Sequence, residues 1–147
     1  MFARTLIDRT TDRNRGPSRR RGAAVVEFAV VAPLLFLVLF TTIEGGRMIV
    51  VNQILANASR EGARRAVLEQ ASAAEAQAVT AEYLTDASIS GATVTVSPSS
   101  LDMLAHSDPV TVTVSVPFAS VSWLPAPMYF KEWTLSQQTV MRAERPH

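Results

Sequence analysis

The sequence predicts an α+β fold, in which one long amino-terminal helix precedes a second short helix and a small antiparallel sheet. Three observations predict it: a long apolar run near the amino end, a helical spacing of apolar residues after it, and two late runs that alternate apolar with polar residues. Periods of 3.6 and 2 residues separate amphipathic helices from half-buried strands. Because the helical patterns precede the strand patterns, we expect the sheet to pack on the long helix.

Residues 1–22 form a basic leader. They contain seven arginines and two aspartates, a charge of +5, whereas the 147-residue chain as a whole carries +1. So few apolar side chains cannot bury a core, and the leader is predicted to be disordered. A basic arm for nucleic acid is the competing interpretation, but the adjoining apolar run already accounts for the arginines. We therefore expect no nucleic-acid partner.

The next segment is predicted to cross a membrane. Residues 23–43 form a run of 21 residues in which Glu27 is the only charge. At about 1.5 Å per residue, a helix of this length spans the roughly 30 Å hydrocarbon core of a bilayer. Arginine-rich flanks stay in the cytoplasm, so residues 44–147 should be exported. No small-residue cleavage pattern follows the run, which favours a retained anchor over a secretory signal peptide. The chain has no cysteine, so the exported domain must fold without disulfides.

Helical character should continue outside the membrane. Residues 47–69 contain no proline and place a stripe of apolar or small residues at steps of three or four: Val51, Leu55, Ala58, Gly62 and Ala66. Such a stripe is one face of an amphipathic helix. Its small members, Ala58, Gly62 and Ala66, would let another backbone approach closely. That backbone belongs either to the chain's own domain or to a neighbouring subunit, and the pattern leaves both open.

A second helix is predicted over residues 71–83, which are rich in alanine, glutamate and glutamine. Its buried side is expected to comprise Ala74, Ala78, Val79 and Leu84. Residues 92–96 and 110–116 alternate apolar and polar side chains at β-branched positions and predict two strands. The proline- and serine-rich residues 97–109 predict the loop between them.

A third strand is predicted over residues 134–142. Leu135 and Val140 are its surest apolar positions, and their odd spacing predicts a bulge or a shifted face. The connection over residues 118–133 is apolar for a loop and contains Trp123 and Trp133. It either covers the end of the core or binds a partner.

No catalytic constellation is evident in the sequence. Asp102, His106 and Asp108 form the tightest grouping of potential metal ligands, in a polar loop without a fourth ligand nearby. No serine stands in a nucleophile-elbow pattern, and no glycine-rich phosphate loop is present. We predict a protein that is not an enzyme and that has no metal and no cofactor.

Four motifs follow one another along the first helix. Gly22 precedes four small or apolar residues and then Glu27 and Phe28, and three further motifs follow: Ala32-Pro33-Leu34-Leu35, Glu44-Gly45-Gly46-Arg47 and Ala58-Ser59-Arg60-Glu61-Gly62-Ala63-Arg64. This series resembles the TadE-like family of minor pseudopilins, which belongs to the Flp, type IVb-like, tight-adherence pilus and secretion machines. The resemblance covers about residues 20–66.

The resemblance implies cleavage by a prepilin peptidase between Gly22 and Ala23. It also implies that Glu27, beside Phe28, meets the new amino terminus of an adjacent subunit and sets the register of assembly. An interfacial Glu27 that reaches headgroups and water is the alternative. Pro33 is expected to loosen the helix at a point that neighbouring helices accommodate.

The implied protein is a minor structural or assembly subunit of the bacterial inner membrane. Its amino terminus is cytoplasmic and its domain is periplasmic or extracellular; the resemblance leaves open whether the chain enters a pilus or remains in the membrane. The implied partners are the peptidase, other pilins or pseudopilins and membrane lipid. The competing hypothesis is an unprocessed single-pass anchor with a periplasmic scaffold domain.

Overall fold

A computed structural model describes residues 18–101, 105–123 and 132–143, with side chains from Gly22 onward. It confirms the α+β fold class: a long amino-terminal helix, a short second helix and three antiparallel strands. Contacts divide the chain into one unit that ends at Phe40 and a second that begins at Thr41. The long helix, α1, extends over Ser18–Ala66. It therefore contains both the apolar run and the small-residue stripe.

Helix α1 ends three residues before the predicted limit at Glu69. A turn follows over residues 67–70, and Gln70 has a positive φ of 62°. Such a left-handed residue reverses the chain after a helix and prevents the helical hydrogen bonds from continuing. The chain can then return to form the second helix.

The second helix, α2, extends over Ala73–Asp86, two residues later at its start than predicted. Ser72 sets this start because its hydroxyl accepts a hydrogen bond from the Glu75 backbone N–H, while the Glu75 carboxylate accepts one from the Ser72 backbone. This reciprocal capping box satisfies two amide groups that a helix start leaves without partners.

The predicted buried side of α2 is largely wrong. Its buried residues are Ala76, Thr80 and Leu84, so only Leu84 of the predicted set is buried. The real stripe includes a threonine, which apolar periodicity passes over. Thr80 tolerates burial because its hydroxyl donates a hydrogen bond to the Ala76 carbonyl oxygen at 2.7 Å.

The sheet has the order β1-β2-β3, with β1 over Thr93–Ser97, β2 over Pro109–Pro117 and β3 over Thr134–Arg142. Both pairings are antiparallel. The alternating valines of β2 point to the core and are fully buried, whereas its serine and threonines are half-buried on the other face. The alternation in the sequence therefore reports one buried face, as predicted.

Strand β3 has no bulge, so of the two predicted alternatives, a bulge or a shifted face, the bulge is wrong. It pairs with β2 residue by residue from Pro117↔Thr134 to Pro109↔Arg142. Leu135 is buried and Val140 is 56% exposed, so the two apolar residues lie on opposite faces of a regular strand. The inward positions after Leu135 are taken instead by the half-buried Gln137 and Thr139.

The core lies in the unit that begins at Thr41 and is made by α1, α2 and the inner face of the sheet. The largest apolar side chains that are fully buried are Phe118, Leu55, Leu101, Val51, Val110, Val112, Val114 and Val116. Phe118 begins a 3-10 turn, Phe118–Ser120, directly after β2. This turn leads the chain to a short segment that contacts α1.

Candidate anchoring and assembly sites

The bond between Gly22 and Ala23 lies inside α1, which begins at Ser18. Both residues are exposed, and a Cβ added at Gly22 would meet no heavy atom within 4 Å. Packing therefore does not require glycine at this position. A helical glycine is less favourable than alanine by about 1 kcal/mol, so the helix unwinds more easily here than an alanine would allow.

Glu27 and Phe28 are both exposed on α1, and Phe28 is 66% exposed. Within the described part of the chain, no hydrogen bond or ion pair reaches the Glu27 carboxylate. A charged side chain inside the hydrocarbon costs about 2.5 to 3.5 kcal/mol at the bilayer centre, and less near its edge. Lipid headgroups, water or a polar partner would offset this cost.

Pro33 is exposed within α1, and the helix continues on both sides of it. Proline has no backbone N–H, so the carbonyl of Ala29 loses its helical hydrogen bond. Apolar side chains flank this point and are also exposed over the whole run: Val25, Val26, Val30, Val31, Leu34, Leu35, Phe36, Leu37, Val38, Leu39 and Phe40. This exposed apolar surface is typical of a helix whose solvent is lipid.

The first turn after the apolar run contains a buried carboxylate. Glu44 is only 5% exposed, and the Ser122 hydroxyl donates a hydrogen bond to its Oε1. Ser122 follows the 3-10 turn after β2, so this bond joins α1 to the end of the sheet. A buried carboxylate without such a donor would pay a desolvation cost with no compensation.

Arg47, one turn later, contacts the same segment. Its Nε donates a hydrogen bond to the Val121 carbonyl oxygen at 3.0 Å, and its guanidinium carbon lies 5.0 Å from the centroid of the Trp123 ring. The second distance is typical of a cation–π contact. We call Glu44, Arg47 and residues 121–123 the exit clip.

Glu44 and Arg47 entered the sequence prediction only as part of a family pattern, and the exit clip was not predicted from the sequence. An acid and a base three residues apart at the end of an apolar run were the available signal, because such positions lie on one helical face. Their partners are more than seventy residues away along the chain. No local periodicity could have identified them.

The predicted packing residues Ala58, Gly62 and Ala66 are all buried in the domain. At Gly62, an added Cβ would overlap Thr80 Oγ1 on α2 and lie 3.2 Å from Val112 Cγ1 on β2. Gly62 therefore lets α1 approach the chain's own α2 and sheet closely.

A polar seam joins α1 to β3. The hydroxyl oxygens of Ser59 and Thr139 lie 2.7 Å apart, and Gln137 Nε2 donates to Asn52 Oδ1 at 3.3 Å. Ser59 also donates to the Ala56 carbonyl oxygen at 2.9 Å. A serine hydroxyl has one proton, so Thr139 is the donor to Ser59. The seam explains how β3 packs on a helix with few inward apolar side chains.

The grouping of Asp102, His106 and Asp108 is not assembled into a site by the described residues. Asp102 lies outside them, His106 is exposed, and Asp108 Oδ2 accepts the Ala105 backbone N–H at 2.8 Å. Across residues 18–101, 105–123 and 132–143, no three His, Cys, Asp or Glu side chains lie together as a metal site.

One helix in the described part of the chain, within residues 22–66, is long and apolar enough to cross a membrane. Its apolar half is exposed and its other half forms the core of an α+β domain. The chain thus belongs to the class of small α+β proteins with a single amino-terminal helix capable of membrane anchoring.

Within that class, residues 22–64 match the family model described as TadE-like protein, so the chain is TadE-like over this segment. The match includes all four sequence motifs and confirms the resemblance. The match fits a protein associated with a tight-adherence pilus. The TadE-like family is structural rather than enzymatic. No curated protein and no solved structure gives a significant match to the chain.

Proposed function

We propose that the protein is a minor pseudopilin, a structural or assembly subunit of a tight-adherence pilus and secretion machine. The observation that carries this proposal is the TadE-like match over residues 22–64, which extends from the glycine of the processing motif to the second half of α1. The second half of α1 and the described residues that follow it form a folded domain around one hydrophobic core, as a subunit with an exported head requires.

The proposed location is the bacterial inner membrane, with the amino terminus in the cytoplasm and the α+β domain exported. The charge on residues 1–22 supports this orientation, because arginine-rich flanks resist translocation. The exposed apolar run of α1 supports insertion as a single span. The proposed partners are a prepilin peptidase, other pilins or pseudopilins and membrane lipid.

Processing is proposed between Gly22 and Ala23. A peptidase that accepts an extended backbone must first unwind the amino end of α1, and glycine lowers the cost of that step by about 1 kcal/mol relative to alanine. Cleavage would remove the whole basic leader and make Glu27 the fifth residue of the mature chain.

Coexpression with a prepilin peptidase tests this step. Mass spectrometry of the membrane-bound product should find an amino terminus at Ala23, and Gly22→Leu should leave the full-length chain. Gly46→Leu is the matched control, because a Cβ at Gly46 also meets nothing within 4 Å and the residue is far from the cut. An intact leader in the presence of an active peptidase would contradict the proposal.

One observation favours the competing function, an unprocessed anchor with a periplasmic scaffold domain. Gly22 and Ala23 are helical, and proteolysis of a helix requires local unfolding. The same coexpression decides between the two functions: the anchor predicts one full-length product for the unchanged chain, for Gly22→Leu and for Gly46→Leu.

A further inference from the structure

We propose that Trp123, together with Trp133, is an interfacial anchor that holds the end of the α+β domain in the lipid headgroup layer. The inference rests on insertion of α1 as a membrane span, which is part of the proposed function. The intended partner is the lipid surface itself, not another protein.

The position of Arg47 along α1 is close to the end of the apolar run. The apolar run ends at Ile43, and Arg47 is four residues later, about 6 Å along a helix axis. The headgroup layer is about 5 to 7 Å thick on each side of the hydrocarbon. The backbone of Arg47 therefore lies within or at the outer limit of this layer.

The direction of the side chains brings Trp123 closer to the hydrocarbon than the backbone of Arg47. A helical side chain leans toward the amino end of its helix, so Arg47 extends back toward the hydrocarbon. Trp123 packs on that guanidinium at 5.0 Å, and Ser122 bonds to Glu44, which adjoins Ile43. The exit clip thus places Trp123 level with the end of the apolar run.

Most of the Trp123 ring surface is exposed. Trp123 is 70% exposed although it is large and apolar, and Arg47 covers only part of it. Tryptophan is enriched where a bilayer meets water, because its ring is apolar and its N–H needs a polar partner. The adjacent arginine adds attraction for anionic headgroups.

The chain's other tryptophan lies at the same end of the sheet. Trp133 is 53% exposed, and its carbonyl oxygen accepts the Phe118 backbone N–H at 2.7 Å, just after β2 ends. Gln137 donates a hydrogen bond to Asn52, so these two residues are at the same level. Trp133 is four residues before Gln137, which is about 13 Å in an extended chain. Glu44 is eight residues before Asn52, which is about 12 Å along the axis of α1. Trp133 is therefore at a similar level to Trp123.

The test uses the full chain in vesicles of phosphatidylcholine and phosphatidylglycerol whose acyl chains are brominated at defined depths. Trp133→Phe leaves Trp123 as the only tryptophan. We expect the emission of Trp123 to be blue-shifted relative to the same variant unfolded in urea without detergent. It should be strongly quenched by bromines near the glycerol and less quenched by bromines near the ends of the acyl chains. Emission at the wavelength of a water-exposed indole, unaffected by any brominated lipid, would overturn the anchor.

Two reporter variants separate this inference from the membrane span on which it rests. In a chain with both tryptophans changed to phenylalanine, Phe36→Trp should be quenched most by deep bromines, and Glu61→Trp should not be quenched. Glu61 is 14 residues beyond Arg47, or about 21 Å along α1. If the Phe36→Trp reporter is not quenched, the span and the anchor both fail. If it is quenched and Trp123 is not, only the anchor fails.

Discussion

The Ser122 hydroxyl donates a hydrogen bond to the buried carboxylate of Glu44, and this bond connects the first turn of α1 after the apolar run to the segment after β2. The two residues are 78 positions apart in the chain. Arg47 reinforces the connection through Val121 and Trp123. The first turn outside the apolar run is thereby joined to the sheet, which makes the exit clip a feature whose loss should be measurable.

Ser122→Ala should destabilise the domain by about 1 to 3 kcal/mol, because it removes the donor from a buried acceptor and leaves the acceptor in place. Glu44→Gln should cost less, since the amide oxygen still accepts from Ser122 and the charge is gone. Urea unfolding of the full chain in detergent micelles, followed by circular dichroism, measures both effects.

The matched control for Ser122 is Ser136→Ala, on the exposed face of β3. It should change the free energy of unfolding by no more than about 0.5 kcal/mol, as is usual for surface substitutions. Equal losses for the two serine variants would contradict a specific role for the exit clip.

Gly62→Ala tests the close approach of α1 to α2. Alanine gains about 1 kcal/mol of helix propensity over glycine. Its Cβ, however, would overlap Thr80 Oγ1 and crowd Val112, and overpacking of this kind typically costs about 1 to 3 kcal/mol. We expect a net loss of stability in thermal unfolding.

Gly46→Ala is the control for Gly62→Ala, because its Cβ meets nothing within 4 Å and only the propensity gain remains. Thr80→Ala combined with Gly62→Ala should recover part of the loss. Such a double-mutant cycle isolates the interaction of the two positions. If the free-energy changes of Gly62→Ala and Thr80→Ala simply add in the double variant, the alanine Cβ does not press on the Thr80 side chain.

The seam between α1 and β3 gives a third prediction. Ser59→Ala and Thr139→Val should each cost about 0.5 to 1.5 kcal/mol, the usual net value of a hydrogen bond. The double variant should cost less than the sum of the two, since neither hydroxyl is then left without the other. A cycle with no coupling energy would indicate that the two hydroxyls do not interact in solution.

Glu27→Ala should leave cleavage after Gly22 largely intact and impair assembly, because it removes the only charge of the apolar run. The measurements are the amino terminus of the product and its recovery in sheared pili or in crosslinked complexes with other pilins. Glu61→Ala, which removes an exposed acid outside the apolar run, should leave both unchanged. Normal pilus formation by Glu27→Ala would remove the register hypothesis.

Local patterns were sufficient where one physical rule dominated. The valines of β2 alternate strictly, and a half-buried strand is the structure that gives them one buried face. The stripe that contains Leu55 and Gly62 predicted a helical face, and that face is buried. Patterns were insufficient where polar groups are buried. Thr80 on α2 and Thr139 on β3 are paired by hydrogen bonds, so apolar spacing misjudged the face of one helix and the regularity of one strand.

The sequence by itself determined the α+β class, the membrane-competent run and the TadE-like motifs, because all three depend on residue type and near spacing. Only the tertiary structure decided that Glu44 is buried beneath Ser122, that Gly62 is the point where α2 approaches α1, and that Trp123 stacks on Arg47. Each of these pairs joins separate elements of the fold. Such contacts arise when the helices and the sheet pack together, so their partners are chosen by three-dimensional proximity rather than by sequence spacing.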